Sequence, residues 1–371
     1  MASMPVMLRR RRQFRVWVAL ASLVTAAALA TGCGSSETAN QTPINPADVA
    51  SFDAQGVTIR LVTHDSFTIG SEVWDEFTAQ TGINVDVIGS GDAGEVVSRA
   101  ILTAGEPEGD VMFGVDNTFL QRVLDAELFT AYESPGLVHV DSELKLDDQH
   151  RVTPIDFGDV CVNYWIDAVP GGDRNLTLDD LTNPEIAASF VTQDPESSSP
   201  GFAFLLATIA AYGDGWEQYW QDLTDGGLTV TAGWEDAYFG EFVAGGGDKA
   251  LVTSYASSPV AEVIYGETGQ GPAPTGVITD SCFRQIEFAG VLNGTEHPEA
   301  AAMLIDFMLS ETFQADIPLN MFVMPANSSV ELPEVFAEHM VEPVTTYQMD
   351  PAEIEANRSK WTERWVDIVL R

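Results

Sequence analysis

Residues 57–63 (VTIRLVT) alternate and are rich in β-branched side chains, Val73, Trp74 and Phe77 fall on one face of a following helix, and residues 84–88 (NVDVI) are extended again. Strand, helix and strand at this spacing predict a parallel pair with a crossover helix, the building unit of an α/β sheet. Ligand sites in such sheets lie beyond the carboxyl ends of the strands. His64 and Asp65 occupy such an end and are the first candidate site residues.

The next strand ends in the loop 89–94, a literal G-x-G-x-x-G followed by a predicted helix over 95–104. Asp116 closes the following strand, 110–115, which is the acidic residue a dinucleotide-binding fingerprint asks for. Against that reading stand an acid inside the loop, Asp92, and the lack of a continuing nucleotide-binding half, so a tight turn is the expectation. Asp116 then either caps the helix predicted over 118–129 or points its carboxylate into a cleft.

Near Asp156 the chain leaves its first set of elements, and residues 158–284 form a second set. There the run 194–201 (DPESSSPG) opens an apolar helix over 202–212. Ser198, Ser199 and Gly201 offer hydroxyls and free N–H groups to an anion at that helix start, although a single serine would serve as an ordinary N-cap. Residues 229–259 place two aromatic turns, Gly233-Trp234…Tyr238 and Ser254-Tyr255…Ser258-Pro259, around a predicted amphipathic helix over 234–247, the makings of a wall for a flat ligand. Strands are expected at 275–278 and 284–289, an apolar loop containing Phe322 at 317–327, and a closing helix at 351–370 with Trp361 and Trp365 on one face.

A chain of 371 residues exceeds one ordinary core and implies two domains. With the five arginines among the first 32 residues set aside, the formal charge of −39 deepens to about −44. That excludes generic nucleic-acid binding, which needs Lys and Arg against phosphate, and tilts toward cationic ligands. Residues 1–32 read as an export signal: Arg9 to Arg12 form the charged region, and residues 16–30 an apolar run too short to span a bilayer comfortably. Leu29-Ala30-Thr31-Gly32-Cys33 resembles a lipobox, so Cys33 is the expected lipidation site, and residues 33–55 are expected to be a flexible tether on the outer face of a membrane. Cys161 and Cys282 then remain in an oxidising compartment, where they either pair as a disulfide beside the hinge or stay as two buried thiols.

No G-x-S-x-G occurs, the five histidines are scattered singly without metal-ligand spacing, and 56 acidic residues make any carboxylate pair unspecific. An enzyme acting on an external substrate is therefore a distant alternative to a solute-binding protein.

The motifs HDSF (64–67), DVMFGVDN (110–117), PIDFG (154–158), QDPESSSPG (193–201), GWEDAY (233–238), SYASSP (254–259) and the terminal stretch 345–361, taken in order, resemble the thiamine-binding proteins that feed ABC importers. The resemblance runs from Val57 to Arg371. It implies the two-lobed class II solute-binding α/β fold, with two mixed sheets flanked by helices and joined by two hinge crossovers. Residues 56–157 with 285–371 would form one lobe and 158–284 the other. It also implies a monomer without enzymatic activity or cofactor that binds thiamine or a thiamine phosphate and docks on permease subunits. In that pattern the rings lie among aromatic residues, of which Trp234 and Tyr255 match here, while His64 stands where a Tyr is common, Phe322 where a Trp is common and Ala261 where a Tyr occurs; Tyr238, beside Trp234, is a further candidate from the residues themselves. Asp65 and Asp116 would meet the aminopyrimidine and the cation, and Ser198, Ser199 and Gly201 a phosphate. A ferric-ion binder of the same fold is the nearest alternative, but that chemistry needs adjacent tyrosines and no Tyr-Tyr occurs.

Overall fold

The computed structural model describes residues 42–172, 175–266 and 271–371; the expected export signal and Cys33 lie outside them. In chain order the strands are β1 (Thr58–Thr63), β2 (Asn84–Gly89), β3 (Val111–Asp116), β4 (Phe129–Thr130), β5 (Thr153–Trp165), β6 (Phe190–Gln193), β7 (Thr229–Thr231), β8 (Leu251–Tyr255), β9 (Thr275–Leu292), β10 (Met324–Pro325) and β11 (Thr346–Tyr347). The helices are α1 (Pro46–Ser51), α2 (Ser71–Thr81), α3 (Ala93–Leu102), α4 (Leu120–Asp125), α5 (Pro184–Ala187), α6 (Ser199–Tyr212), α7 (Trp216–Asp225), α8 (Ser258–Ile264), α9 (Pro298–Met308), α10 (Glu311–Asn320), α11 (Glu334–His339) and α12 (Pro351–Val369).

The strand order is β2-β1-β3-β9-β5-β8-β6-β7. β1 pairs in parallel with β2 and β3, and β6 in parallel with β7 and β8, as βαβ crossovers require. β9 runs antiparallel to β3 and to β5, and β5 antiparallel to β8. Two mixed sheets thus meet along the β5–β9 pair, and hydrogen bonding joins them into one path. Each has its own core. Val111, Met112, Phe113, Phe77 and Phe313 belong to the first, and Phe190, Phe202, Phe204, Trp220 and Trp365 to the second.

The two strands expected at 275–278 and 284–289 are one, β9. The pairing shifts where Val160 faces Phe283 but Val162 faces Ile278, so β9 carries extra residues there. Ser281 fills the gap, accepting the Val162 N–H at 2.8 Å and donating its hydroxyl to the Ile278 carbonyl. Cys161 and Cys282 are joined as a disulfide at this irregularity, buried with Ala256 and Val277.

Part of the expected tether is structured. Asn45 accepts the Ala47 N–H and Pro46 opens α1, whose Val49 is buried in the first core, with Ile44 and Phe52 packed against it. Three apolar residues scattered through a polar stretch show no period, so their docking is not legible locally. Part of the segment 317–327, expected as an apolar loop, continues α10, which carries Pro318 inside it. The closing helix α12, placed by sequence with the first lobe, buries Ile354, Trp361 and Trp365 in the second core. From α12, Arg358 donates to the Thr118 carbonyl, and its guanidinium lies 4.1 Å from the Phe119 ring centroid and 3.9 Å from that of Phe202. Burial lowers its pKa to about 10, so the charge persists and the cation–π sandwich ties α4 to α6.

Candidate functional site

A cavity of about 310 Å³ opens between the carboxyl ends of the β1 and β3 side and the 234–265 segment. This size is ordinary for a small-molecule site. On one wall Trp234 donates its Nε1 proton to Ser254 Oγ at 3.1 Å and stacks on Tyr238 at 4.9 Å and 24°. Tyr255 meets it edge-on at 6.5 Å. Ser258 Oγ accepts the Tyr255 N–H at 3.1 Å and lies 2.8 Å from Ser254 Oγ, which fixes the SY-x-x-SP turn. At the mouth stand Phe239, 55% exposed, and Tyr265, 75% exposed, the latter edge-on to Phe322 at 5.8 Å. Phe322 has φ +56°, a left-handed conformation unusual for a bulky side chain and of the kind that clusters at binding sites.

The expected helix over 234–247 is not regular. Residues Asp236–Glu241 form a π-helical turn, and Val243–Gly245 a short 3₁₀ turn after it. Five residues of regular α-helix would turn Phe242 to a different face from Ala237, whereas the wider π turn lets Ala237, Tyr238 and Phe242 all be buried with Val191 and Val252.

Charge defines the cavity as well as aromaticity does. Asp92, Glu235, Glu262 and Glu287 line it with one imidazole, His64, and no Lys or Arg does so among the described residues. Burial pushes the carboxyls of Asp92, Glu235 and Glu262 up. Hydrogen bonds hold each back: the Trp234 and Ala93 N–H groups at Asp92, Ser66 at Glu235, and the Tyr238 hydroxyl, 2.6 Å away, at Glu262. His64 Nε2 lies 3.4 Å from Glu287 Oε1, an ion-pair distance rather than a good hydrogen bond. Burial disfavours a charge on His64, but the Glu287 contact and charge more than offset it, and the imidazole sits above its usual range. Its ring lies against Gly114, φ +92°, where any Cβ would strike it; that is the reason for a glycine inside β3.

The glycine loop 89–94 cradles no phosphate. Asp92 Oδ1 accepts the Ala93 N–H at 2.7 Å and the Ser199 N–H at 3.3 Å, and Oδ2 accepts the Trp234 N–H at 3.0 Å. Gly94 donates to the Ser197 carbonyl at 3.0 Å, and a side chain there would collide with that carbonyl. The loop is a tight turn that seats the first half of the chain on the second, with Asp92 as its clasp. Replacing Asp92 by alanine strands three partly buried N–H groups, and urea unfolding is expected to show a loss of roughly 1–3 kcal/mol. Asparagine, which keeps an acceptor, is expected to restore about half; an unchanged midpoint in Asp92→Ala would contradict the role.

Of the residues singled out by sequence, His64, Ser199, Trp234, Tyr238, Tyr255 and Phe322 line the cavity together. Asp65 is exposed and does not line it. Asp116 is fully buried one layer behind. It accepts from Thr118 N and Oγ1, Phe119 N, Ser199 Oγ and Gln285 Nε2, so it both caps the turn before α4 and anchors the cavity floor. Ser198 is the buried N-cap of α6 and accepts the Gly201 N–H at 3.4 Å. Gly201 packs on the Gln193 carbonyl. The α6 start expected to receive an anion is therefore occupied by the protein itself: Ser199 N–H goes to Asp92, Gly201 N–H to Ser198 Oγ, and Pro200 has none. Asp92, Glu235, Glu262, Gln285 and Glu287 were not singled out by sequence. Asp92 was visible as the acid inside the glycine loop; Glu287 carried no local signal.

A family model described as bacterial extracellular solute-binding protein matches residues 109–355. The thiamine-binding periplasmic protein of Salmonella typhimurium is 29% identical over 318 residues, 84% of this chain and 94% of that one. That of Brucella suis biovar 1 is 30% identical over 320 residues, 85% and 92% of the two chains. Among solved structures, a periplasmic thiamin binding protein superposes with a TM-score of 0.75 at 28% identity, covering 85% of this chain and 96% of that one. The fructose-6-phosphate-bound periplasmic binding protein AfuA from Actinobacillus pleuropneumoniae gives 0.71 at 15% identity over 85% and 99%, a likeness of fold alone.

Proposed function

Because the chain belongs to the bacterial extracellular solute-binding proteins, we propose that it captures thiamine as the free cation and hands it to an ABC import permease. The single observation that carries the ligand class is a 310 Å³ cavity lined by four carboxylates and several aromatic faces, with no Lys or Arg among the described residues. A thiazolium ring carries a fixed positive charge on a flat π system, and both features find partners here. In this reading Trp234 and Tyr255 take the rings, Glu262 and Glu287 face the positive charge, and Asp92 and Ser199 form the polar end. The relatives named for thiamine support the same ligand.

The proposal extends to architecture and location. Residues 56–157 with 285–371 and residues 158–284 act as two lobes that close over the ligand about the β5 and β9 crossovers, the usual hinge logic of such proteins. A lipid on Cys33 would hold the monomer at the outer face of the membrane.

Phosphate esters are expected to bind worse. A phosphate adds negative charge beside Asp92, and the N–H groups at the α6 start already have partners. Calorimetry on the mature protein should give saturable thiamine binding and at least about tenfold weaker binding of thiamine monophosphate, a difference of about 1.4 kcal/mol. Equal affinity for the two would show that the site accepts the phosphate. Ser199→Ala, which removes a donor to Asp116 beneath the floor, should weaken both ligands alike.

A further inference from the structure

Beneath the cavity three acids stand opposite one another on adjacent strands. Asp116 of β3 faces Glu287 of β9, and Glu287 faces Asp156 of β5. Neither outer acid would stand there in a regular ladder. The β3–β9 register shifts by one between Phe113 and Val115, and the β5–β9 register by one between Pro154 and Asp156. Two separate bulges, on the strands flanking β9, therefore converge on the same glutamate. Bulges re-aim side chains, and like charges directly opposite destabilise a sheet; a core serving only stability gains nothing from this placement.

The two outer acids are treated differently. Asp116 is surrounded by the five donors named above, whereas Asp156 is fully buried and neither of its oxygens meets an N–H or hydroxyl donor. Burial and the charge of Glu287 push the Asp156 carboxyl well up, which favours its protonated form opposite Glu287. On its other side Glu287 faces His64, whose Nε2 has the glutamate as its ion-pair partner and no hydrogen bond. Glu287 and His64 line the cavity and Asp156 does not. The titratable groups around this row are His64 and Asp65 after β1, Asp92 before α3, Asp116, Asp156, Glu235 and Tyr255. The nearest guanidiniums are engaged elsewhere, Arg358 against Phe119 and Phe202 and Arg284 with Asp159 at 2.7 Å.

We propose that capture of a cation at this site expels a proton from the His64–Glu287–Asp156 row into solvent, so that affinity rises with pH. The inference rests on the cationic-ligand reading above. A positive ring beside Glu287 takes over the role that the imidazolium and the Asp156 proton play in the empty site. The bound state then holds fewer protons than the free state, and the slope of log affinity against pH equals the number released. Release of half a proton tightens binding about threefold per pH unit.

Calorimetric titration with thiamine in phosphate and in Tris, between pH 6.5 and 8.5, counts the protons directly. The expected result is release of roughly a third to one proton per ligand near neutrality, with a matching rise in affinity toward high pH. The double variant His64→Gln/Asp156→Asn should release none and show a flat profile. His64→Gln alone, a change on a loop, should lose part of the count if the double variant does not fold. Saturable binding with no proton released, or an undiminished count in these variants, would overturn the coupling and leave the ligand assignment standing. The absence of saturable heat in every buffer would overturn both.

Discussion

Trp234→Ala is expected to weaken thiamine binding roughly 30- to 100-fold, about 2–3 kcal/mol, the range of a central aromatic anchor. The indole is held from behind by its stack on Tyr238 and pinned in rotation by its bond to Ser254, so it is a preorganised wall. Removing it takes away both contact area and the π face opposed to the cation. Trp234→Phe keeps a face but loses the Ser254 bond, and should fall between wild type and alanine. Calorimetry with circular dichroism as a fold control separates lost binding from lost structure. An alanine variant that binds thiamine within about threefold of wild type, under about 0.7 kcal/mol, would remove Trp234 from the site.

Reduction of the Cys161–Cys282 bridge, or the double serine variant, is expected to lower the unfolding free energy by roughly 2–5 kcal/mol. The bridge closes a loop of sequence separation 121 and joins β5 to β9, the two strands common to both halves of the sheet. Its sulfurs are buried beside Ala256 and Val277, away from the cavity lining. The loss should therefore appear in the denaturation midpoint, while thiamine affinity of the folded protein stays little changed. Guanidinium titrations with and without reductant test this; superimposable curves would contradict it.

Much of the scaffold could be read locally because its periods are strong. The alternation of β1, the Val73/Phe77 face of α2 and the Trp361/Trp365 face of α12 all survive into the structure. The aromatic turns at Trp234 and Tyr255 were legible for the same reason, since Gly, Ser and Pro punctuate them. What escaped is set by tertiary contact. β9 is continuous because β5 pairs with it on both sides of the irregularity, at 275–278 and at 283–289, and the π turn at Asp236–Glu241 lets Phe242 be buried. Asp116 sat at a strand end as expected, yet the bulge at Gly114 turns it under the floor, toward Glu287 and the donors of Ser199 and Gln285. Asp92 looked like an argument against a nucleotide loop; its partners, Ser199 and Trp234, lie more than a hundred residues away. Glu287 stood in an apolar strand with nothing to mark it.

The acidic, aromatic cavity makes one claim above the rest, that the natural solute is a flat organic cation and specifically thiamine. Equilibrium dialysis of the purified mature protein against an equimolar mixture of thiamine, thiamine monophosphate, NAD and ferric citrate, followed by mass and metal analysis of what is retained, tests it most directly. Thiamine is expected to be retained, saturating at about one per chain, ahead of its monophosphate and with neither NAD nor iron above background. Retention of NAD or iron in place of thiamine, or of nothing at all, would contradict it.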